Sequence, residues 1–439
     1  MSNKKVYIET YGCQMNEYDT ELVRSILSKQ GYEFTGNENE ADVVFFNTCA
    51  IRENAHEKIY GRLGEVKALR QKNKDLVVGL LGCMSQNLKG NLKRSEELVN
   101  IFAGPDSYKR LPEMIEAVQA NGRDKKMYDF SLSEFEDYSD VYPKRVAGIN
   151  AWIAVMRGCD NFCTFCVVPY TRGRERSRDP QGVVKETRKL AAEGFKQVTL
   201  LGQNVNSYQY DNSDFADLMQ MVSQVDGIER VRFTSPHPKD FPEKFLDVMA
   251  GNPKICKHIH LPLQAGNDRI LDLMSRTYTR QEFLRLVEKI RATIPDVVLT
   301  TDIIVGFCSE TDAEFEETIE VMREVQFDSA FMFKYSERQN TIAYRKYPDD
   351  VPEEKKTERI VRLVELQRQH SLTRNRGHIG KTLKVLMEGP SKKREHEWIG
   401  RTDGNKIAVF PRGDFGPGDS IDFTVRDVSA NTLFSFMRN

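Results

Sequence analysis

The chain has 439 residues, 39% of them hydrophobic, and a formal net charge of −1. This length predicts two or three domains with ordinary cores. The near-zero charge excludes a uniformly basic nucleic-acid coat, so any RNA contact must come from local patches. The sequence contains no apolar run as long as a membrane span and no signal-peptide core, so we expect a cytoplasmic protein with no membrane contact and eight reduced cysteines.

Residues 1–122 alternate strand and helix patterns. The predicted elements are strands at 6–9, 42–47 and 76–81 and helices at 18–30 and 53–71. Strands that alternate with helices indicate parallel βα units, so this region predicts an α/β domain with a doubly wound parallel sheet. Residues 123–146 are polar and acidic, and they predict a linker or an irregular connection.

Each of these three strands is followed by a cysteine, namely Cys13, Cys49 or Cys83, and we call these the strand-end cysteines. Loops after the carboxyl ends of strands gather on one edge of an open α/β sheet, so the three thiols should meet in space. Gly12 and Gly82 would let the backbone turn tightly beside a bulky ligand. Three thiolates hold a cubane iron–sulfur cluster with one iron open. The alternative is three buried cysteines that act as small hydrophobes.

Residues 147–377 form a second βα series. Its six predicted strands lie at 151–156, 197–201, 230–234, 258–261, 298–304 and 329–334. Six units are fewer than the eight of a closed barrel, so we expect a partial (β/α)6 barrel that a long helix at 352–376 completes.

Residues 378–439 change character again. Short strand patterns lie at 381–387, 397–401, 406–409 and 419–425, and turn residues separate them. They predict a small all-β barrel of about five strands, similar to the OB-fold.

Cys159, Cys163 and Cys166, which we call the loop cysteines, stand within eight residues in a C-x3-C-x2-C pattern. Three thiolates leave one iron of a cubane cluster without a protein ligand, and an open coordination position is where a metal centre does chemistry. This spacing resembles that of radical S-adenosylmethionine (SAM) enzymes. The alternatives are a structural zinc loop or a redox-sensitive thiol cluster. A zinc loop would need a fourth ligand, and no cysteine or histidine lies between Cys166 and His237.

Four segments carry a family resemblance. They are Tyr11-Gly-Cys-Gln-Met-Asn-Glu-Tyr-Asp19, Asn47-Thr-Cys-Ala-Ile-Arg52, Val167-Val-Pro-Tyr-Thr-Arg-Gly-Arg-Glu175 and Leu200-Leu-Gly-Gln-Asn-Val-Asn-Ser-Tyr208. With the order of the three regions, they resemble the methylthiotransferases of the radical-SAM superfamily over essentially the full length. The resemblance implies that residues 378–439 are a TRAM RNA-binding domain. The Gln14-Met15-Asn16 after Cys13 is the form of members that modify isopentenylated tRNA.

The resemblance implies a tRNA methylthiotransferase that acts at C2 of N6-isopentenyladenosine at tRNA position 37. It implies two [4Fe–4S] clusters, one on each set of three cysteines, and SAM in two roles. One SAM molecule would methylate a sulfur on the cluster of the strand-end cysteines, and the other would yield the radical that starts replacement of the C2 hydrogen. An electron donor of the flavodoxin or ferredoxin type and a sulfur donor are the implied partners besides tRNA.

Two other functions stay open at this point. One is a related methylthiotransferase that acts on threonylcarbamoyladenosine in tRNA or on a ribosomal protein side chain, against which Gln14 and Met15 argue. The other is a non-enzymatic iron–sulfur protein that binds RNA or senses redox state, which would need the cysteines but no SAM pocket.

Candidate contacts to SAM come from strand ends of the barrel, where active sites of such folds are built. They are Phe165, Gln203, Asn204, Ser235, Gln264 and Asp302. Candidate RNA contacts are basic and lie in two runs, Arg172, Arg174, Arg176 and Arg178 after the loop cysteines and Lys392, Lys393 and Arg394 in the last region. The arginine run could also hold the SAM carboxylate, and a solvated charged loop is the alternative, against which its closeness to the loop cysteines argues. The strand-end polar groups could simply satisfy loop backbone.

Overall fold

The computed structural model of the protein describes residues 4–50, 53–89, 96–122, 124–392 and 394–437. Three regions follow one another along the chain, and each is built around its own hydrophobic core. Within the described ranges, none of the helices combines the length and the apolar character that a membrane span requires.

The N-terminal region is an α/β layer structure. Its strands are β1 (Lys5–Tyr11), β2 (Glu33–Phe34), β3 (Val43–Thr48), β4 (Val77–Leu81), β5 (Ile101–Ala103) and β6 (Met127–Asp129), and its helices are α1 (Gln14–Lys29), α2 (Glu53–Lys72), α3 (Cys83–Leu88) and α4 (Leu111–Asn121). The strands form one parallel sheet in the order β2-β1-β3-β4-β5-β6. The central strands β3 and β4 are buried along their whole length, because apolar clusters cover both faces of the sheet. The predicted doubly wound sheet is confirmed.

The segment predicted as a linker or irregular connection takes part in this region. Strand β6 lies within it and pairs in parallel with β5 as the edge of the sheet. Tyr138 is fully buried and donates its hydroxyl to the carbonyl of Pro105 at 3.0 Å. A three-residue edge strand among serine and acidic residues leaves no periodic pattern to read, which is why the sequence did not predict it.

The central region contains most of the remaining elements. Its strands are β7 (Asn150–Ala154), β8 (Met156–Arg157), β9 (Arg176–Ser177), β10 (Gln197–Leu201), β11 (Gln209–Tyr210), β12 (Ser213–Asp214), β13 (Arg230–Phe233), β14 (His258–His260), β15 (Val298–Val305) and β16 (Ser329–Lys334). Its helices are α5 (Val168–Arg172), α6 (Pro180–Ala192), α7 (Phe215–Ser223), α8 (Glu243–Gly251), α9 (Asp268–Leu273), α10 (Arg280–Thr293), α11 (Asp312–Val325), α12 (Ile342–Lys346) and α13 (Glu353–Arg376).

Six parallel strands of this region form the partial barrel. Strands β7, β10 and β13 make one half and β14, β15 and β16 the other, and a bridge between Val231 and Ile255 joins the two halves. Strands β7 and β16 are the two edges, so the barrel is open on one side. The predicted partial (β/α)6 architecture is confirmed.

The C-terminal region is a curled sheet. Its strands are β17 (Thr382–Pro390), β18 (Glu397–Thr402), β19 (Ile407–Pro411), β20 (Ser420–Thr424), β21 (Asp427–Val428) and β22 (Thr432–Phe434), in the order β20-β17-β18-β19-β22-β21. The sequence predicted four strand patterns in a barrel of about five strands, and the two short strands at the end, β21 and β22, were not among them. Trp398 and Phe410 are 9% and 3% exposed in its core, so neither ring is available to stack on a base.

The C-terminal region closes the central barrel at the end where the strands begin. Arg232, on β13, donates to the carbonyls of Thr402 and Asp403 at 2.7 and 2.9 Å. Lys406 donates to Asp328, just before β16, at 2.7 Å, and its side chain is only 10% exposed. The carboxyl ends of the strands therefore face away from the C-terminal region.

Candidate functional site

The strand-end cysteines lie together at the carboxyl edge of the N-terminal sheet. Cys13 caps the start of α1, Cys49 directly follows β3, and Cys83 is the first residue of α3. A hydrogen bond from Cys49 lowers the pKa of Cys13 to about 5, against the opposing effect of burial. Burial raises the pKa of Cys83, and the thiolate of Cys13 adds to this shift. Because two of these effects come from neighbouring thiols, they indicate that the three thiols lie close together, as the topology predicts.

Two glycines allow these loops to approach each other. A Cβ at Gly12 would lie 3.0 Å from Cβ of Cys49 and 2.4 Å from Oδ1 of Asn16. Gly82 has a φ of +86°, and a Cβ there would lie 2.4 Å from Oδ1 of Asn47. Asn16 and Asn47 are fully buried and hydrogen-bonded to each other at 3.2 Å. A side chain at either glycine would displace this asparagine pair and with it the cysteine loops.

The loop cysteines stand on a loop that closes on itself. The loop leaves from β8 and returns to β9, and these two strands pair with each other. The amide of Cys159 donates to the carbonyl of Gly173 at 3.1 Å. Gly158 has a φ of +81°, and a Cβ there would lie 1.9 Å from the carbonyl oxygen of Arg174. The first residue of the loop must therefore be glycine.

Thr164 holds this loop over the end of the barrel. Its amide and hydroxyl donate to the carbonyls of Met274 and Leu273 at 3.0 and 2.7 Å. Burial raises the pKa of Cys159 to about 11 and that of Cys166 to about 12. These thiols must lose their protons to bind iron, so metal binding and deprotonation are coupled here.

Both cysteine sets fit an iron–sulfur cluster. Each set offers three thiols, and a buried arginine donates to one sulfur of each: Arg172 Nε to Cys83 Sγ at 3.1 Å and Arg276 Nη1 to Cys163 Sγ at 3.4 Å. Such donors stabilise thiolates that carry the charge of a cluster. Within the described residues, no three His, Cys, Asp or Glu side chains converge on the position of a single metal ion. A cubane cluster binds each thiolate to a different iron, so it does not need such convergence.

The predicted SAM residues gather near the carboxyl ends of the barrel strands. Gln203 and Asn204 follow β10, Ser235 follows β13 and Gln264 follows β14. Phe165, in the cysteine loop, is half-buried against the central core. Their contact with SAM stays a prediction, but the fold brings them to one end of the barrel.

Several polar atoms at this end lack a hydrogen-bond partner within the described part of the chain. They are Gln203 Oε1, Asn204 Oδ1, Gln264 Oε1 and His237 Nε2. Burial and the charge of Arg276 lower the pKa of His237 to about 2, so its ring is neutral. Ser235 and Gln264 hold φ values of +60° and +70°, a strained backbone that clusters at ligand sites. Buried polar groups are normally satisfied, so these atoms fit a polar ligand.

Asp302 lies lower in the barrel, on β15. Its carboxylate is 3.3 Å from Nε2 of His260, and in the strand register it stands opposite Phe331 of β16. The ring centroids of Phe331 and His260 are 5.8 Å apart, and Phe331 is 59% exposed. The amide of Gln264 donates to the carbonyl of Asp302 at 2.8 Å, so Asp302 adjoins one of the strand-end polar residues, and its contact with SAM stays a prediction.

Sequence reasoning missed Glu175, His237 and Arg276. Glu175 accepts hydrogen bonds from the Ser207 hydroxyl at 2.8 Å and from the Asp160 amide at 3.3 Å, which ties the cysteine loop to the end of β10. Its position in the run that follows the loop cysteines was a usable signal. His237 and Arg276 reach the site only through tertiary packing, and their neighbours in sequence gave no signal.

The arginine run corrects one prediction. Arg172, Arg176 and Arg178 are 3%, 8% and 2% exposed, and each is paired with a buried carboxylate. This burial contradicts the prediction that they contact RNA phosphates, because their guanidinium groups already face carboxylates inside the protein. Arg174 is the exception, since its side chain is 64% exposed and paired with Asp160 at 2.9 Å.

The basic run of the C-terminal region lies on the surface. Lys392 and Arg394 are exposed in the loop between β17 and β18, and Arg394 pairs with Glu397 at 2.8 Å. Lys393 lies outside the described residues. The two described side chains can reach a phosphate backbone from this loop, so their RNA contact stays a prediction.

Comparison with known proteins assigns each region. Residues 5–104 match the model of the uncharacterized protein family UPF0004, residues 153–322 that of the Radical SAM superfamily and residues 377–436 that of the TRAM domain. Among solved structures, the radical S-adenosylmethionine methyltransferase TsrM from Kitasatospora setae aligns with a TM-score of 0.56 at 16% identity, over 75% of this chain and 73% of its own. That likeness shows the fold alone.

Relatives found by sequence share much higher identity with this chain than the solved structure does. The tRNA-2-methylthio-N(6)-dimethylallyladenosine synthase of Phocaeicola vulgatus is 46% identical over 98% of this chain and 95% of its own. The enzyme of the same name from Porphyromonas gingivalis is 46% identical over 98% of this chain and 94% of its own. The chain therefore belongs to the radical-SAM methylthiotransferase family, in the group of tRNA-2-methylthio-N(6)-dimethylallyladenosine synthases.

Proposed function

We propose that this protein replaces the C2 hydrogen of N6-isopentenyladenosine, at position 37 of tRNA, with a methylthio group. The observation that carries the proposal is the pair of three-cysteine sites in two adjoining regions, in a chain whose relatives bear the name of this activity. An aromatic C–H bond has no acidity for a base to use, so the reaction needs radical chemistry.

The two cysteine sets would hold two [4Fe–4S] clusters. The strand-end cysteines would hold the auxiliary cluster and the loop cysteines the SAM-binding cluster, each with one open iron. When bound, the clusters supply the sulfur chemistry and the electron that cleaves SAM. The chain would hold the two clusters near each other. Helix α3 begins with Cys83, helix α5 begins shortly after Cys166, and the two helices pack against each other.

The chain's own residues would orient SAM at the barrel end. The unpartnered carbonyl oxygens of Gln203, Asn204 and Gln264 would accept hydrogen bonds from its amino and hydroxyl groups. Glu175 offers a carboxylate beside Cys159, suited to the positive amino group. Phe165 would bind the adenine face.

The prenylated base would enter through the open side of the barrel. Phe331 and Phe333, on the edge strand β16, are 59% and 48% exposed and offer an apolar surface there. Burying each carbon of the isopentenyl chain would stabilise the complex by about 0.8 kcal/mol, enough for a tenfold preference with two carbons. The adenosine must leave its stack in the anticodon loop to reach this site.

Further partners follow from the chemistry. An electron donor of the flavodoxin or ferredoxin type would reduce the SAM-binding cluster, and a sulfur donor would replace the sulfur consumed in each turnover. We propose that the protein meets these partners and its tRNA substrate in the cytoplasm.

Anaerobic turnover tests the proposal. Reconstituted protein, SAM and a reductant are incubated with tRNA that carries the isopentenyl group and with matched tRNA that lacks it, and the nucleosides are identified by mass spectrometry. We expect the methylthio product from the prenylated tRNA alone. Equal turnover of both tRNAs, or product only from threonylcarbamoylated tRNA or a ribosomal protein, would assign the chain to a relative. Absence of SAM cleavage would favour the alternative of a non-enzymatic iron–sulfur protein that binds RNA or senses redox state.

A further inference from the structure

Arg172 lies between the two cysteine sites, at the end of α5. Its side chain is 4% exposed, its Nε donates to Sγ of Cys83 at 3.1 Å, and its Nη2 donates to Oδ2 of Asp19 at 2.8 Å. Asp19 is on α1 and is fully buried. One side chain of the central region thus binds both a strand-end cysteine and a carboxylate of the N-terminal region.

The charges around Arg172 are unequal. Arg157, which is 1% exposed, shares Asp19 with it at 2.5 Å, and Arg176 pairs with Asp106 at 3.0 Å. Three guanidinium groups therefore face two carboxylates. The third positive charge is left to the strand-end thiols, which balance it when they are deprotonated and bind a cluster.

Unused donors lie at the same place. Arg172 Nη1 and Arg157 Nε and Nη1 are buried without a hydrogen-bond partner among the described residues. A [4Fe–4S] cluster on three thiolates is anionic and carries sulfide acceptors, so it would balance the charge and accept such hydrogen bonds. The second arginine near a cysteine, Arg276, differs, because its other donors are used by the Tyr278 hydroxyl and the Pro262 carbonyl.

We propose that Arg172 is a positioning residue of the auxiliary cluster. It anchors the cluster at the interface between the N-terminal and central regions, and it raises the reduction potential of the cluster. The inference rests on the proposed function, because it requires a cluster on the strand-end cysteines. A hydrogen bond to a cluster-bound sulfur and a nearby positive charge both favour the reduced, more negative cluster. Asp19 opposes this effect by its charge and keeps the guanidinium in place.

The test measures potential rather than turnover. Full-length protein with Cys159, Cys163 and Cys166 changed to Ala is reconstituted, so that only the auxiliary cluster contributes to the EPR signal. The cluster is then titrated potentiometrically and its reduced form is detected by EPR. In this background Arg172→Met should lower the ratio of reduced to oxidised cluster at fixed potential at least tenfold, which corresponds to about 59 mV for one electron. Asp19→Asn should shift the potential the opposite way, because it removes a negative charge while the amide oxygen of Asn can still accept from Arg172 and keep the N–H···S bond.

Arg174→Gln is the matched control, since it removes an exposed arginine from the same run, and it should leave the potential unchanged. An unchanged potential and EPR spectrum in Arg172→Met would overturn the inference and leave the proposed function intact. Where Arg172→Met does not fold, the sign of the Asp19→Asn shift decides, and no shift or a negative one rejects the role. A background protein without iron would refute the auxiliary cluster, and the inference would fall with it.

Discussion

The two cysteine sites are assembled in opposite ways. The loop cysteines lie within eight residues of one another, on a loop that is pinned by a strand pair and by Gly158. The strand-end cysteines are 34 to 70 residues apart in sequence and meet because three parallel strands end at one edge. The first site is a local structure, whereas the second exists only when its whole sheet has formed. A chain that carries both should therefore respond differently to damage at each.

The largest effect should follow loss of the loop cysteines. Changing Cys159, Cys163 and Cys166 to Ala should abolish SAM cleavage and reduce the iron content from about eight to about four per chain, because the strand-end site is built by other elements. Iron analysis and assay of 5′-deoxyadenosine measure the two outcomes. Retention of all the iron would show that the loop does not bind a cluster.

Loss of one strand-end cysteine should separate the two activities. Cys13→Ala removes one of three proposed ligands of the auxiliary cluster and leaves the cysteine loop untouched, so SAM cleavage should persist while methylthio transfer is lost. Cys256→Ala is the control for the loss of a thiol, since this buried cysteine belongs to neither set, and it should keep both activities. Normal methylthio product from Cys13→Ala would contradict the role of the strand-end site.

Breaking an ion pair at the contact between the two regions should destabilise the whole protein. Glu186, on α6, pairs with Arg178 at 2.8 Å and with Arg145 at 2.5 Å, and all three side chains are at most 5% exposed. Glu186→Gln leaves two buried guanidinium groups undercompensated, so the free energy of unfolding should fall by about 3–5 kcal/mol.

Denaturant titration of Glu186→Gln measures this change. The exposed pair between Glu316 and Arg362 offers the control, and Glu316→Gln should cost at most about 1 kcal/mol. Equal effects of the two substitutions would mean that the buried pair does not hold the regions together.

The smallest effect should come from the surface of the C-terminal region. Changing Lys392 and Arg394 to Gln should weaken tRNA binding and reduce the slope of log K against log salt by about 0.7–0.9 for each phosphate that the variant no longer neutralises. SAM cleavage without tRNA should not change. An unaltered salt slope, measured by filter binding over a range of salt concentrations, would place the RNA surface elsewhere.

The sequence predicted those parts of the molecule that have a local pattern. The buried runs of β3 and β4 and the loop-cysteine spacing are of this kind. The convergence of the strand-end cysteines also followed from sequence, because strand topology alone brings loop ends together. Several strands of two or three residues, among them β2, β5 and β21, carry too few residues for a period and were missed.

The sequence did not predict which charged side chains are buried. The arginine run looks the same in sequence whether it faces phosphate or carboxylate, and the partners Asp19, Asp106 and Glu186 lie on other elements. Lys406, another basic residue of the C-terminal region, is likewise buried against Asp328. Which charge is compensated inside the protein depends on tertiary packing, which neither composition nor spacing reports.

The contact between the C-terminal region and the start of the barrel strands has a consequence for synthesis of the chain. Arg230 and Arg232 are buried by the carbonyls of residues 401–403, which are synthesised after the whole of the central region. Domains generally fold as units in the order of their synthesis. The central barrel of this protein therefore emerges with two arginines uncovered, and they stay so until the turn at residues 401–403 has been synthesised.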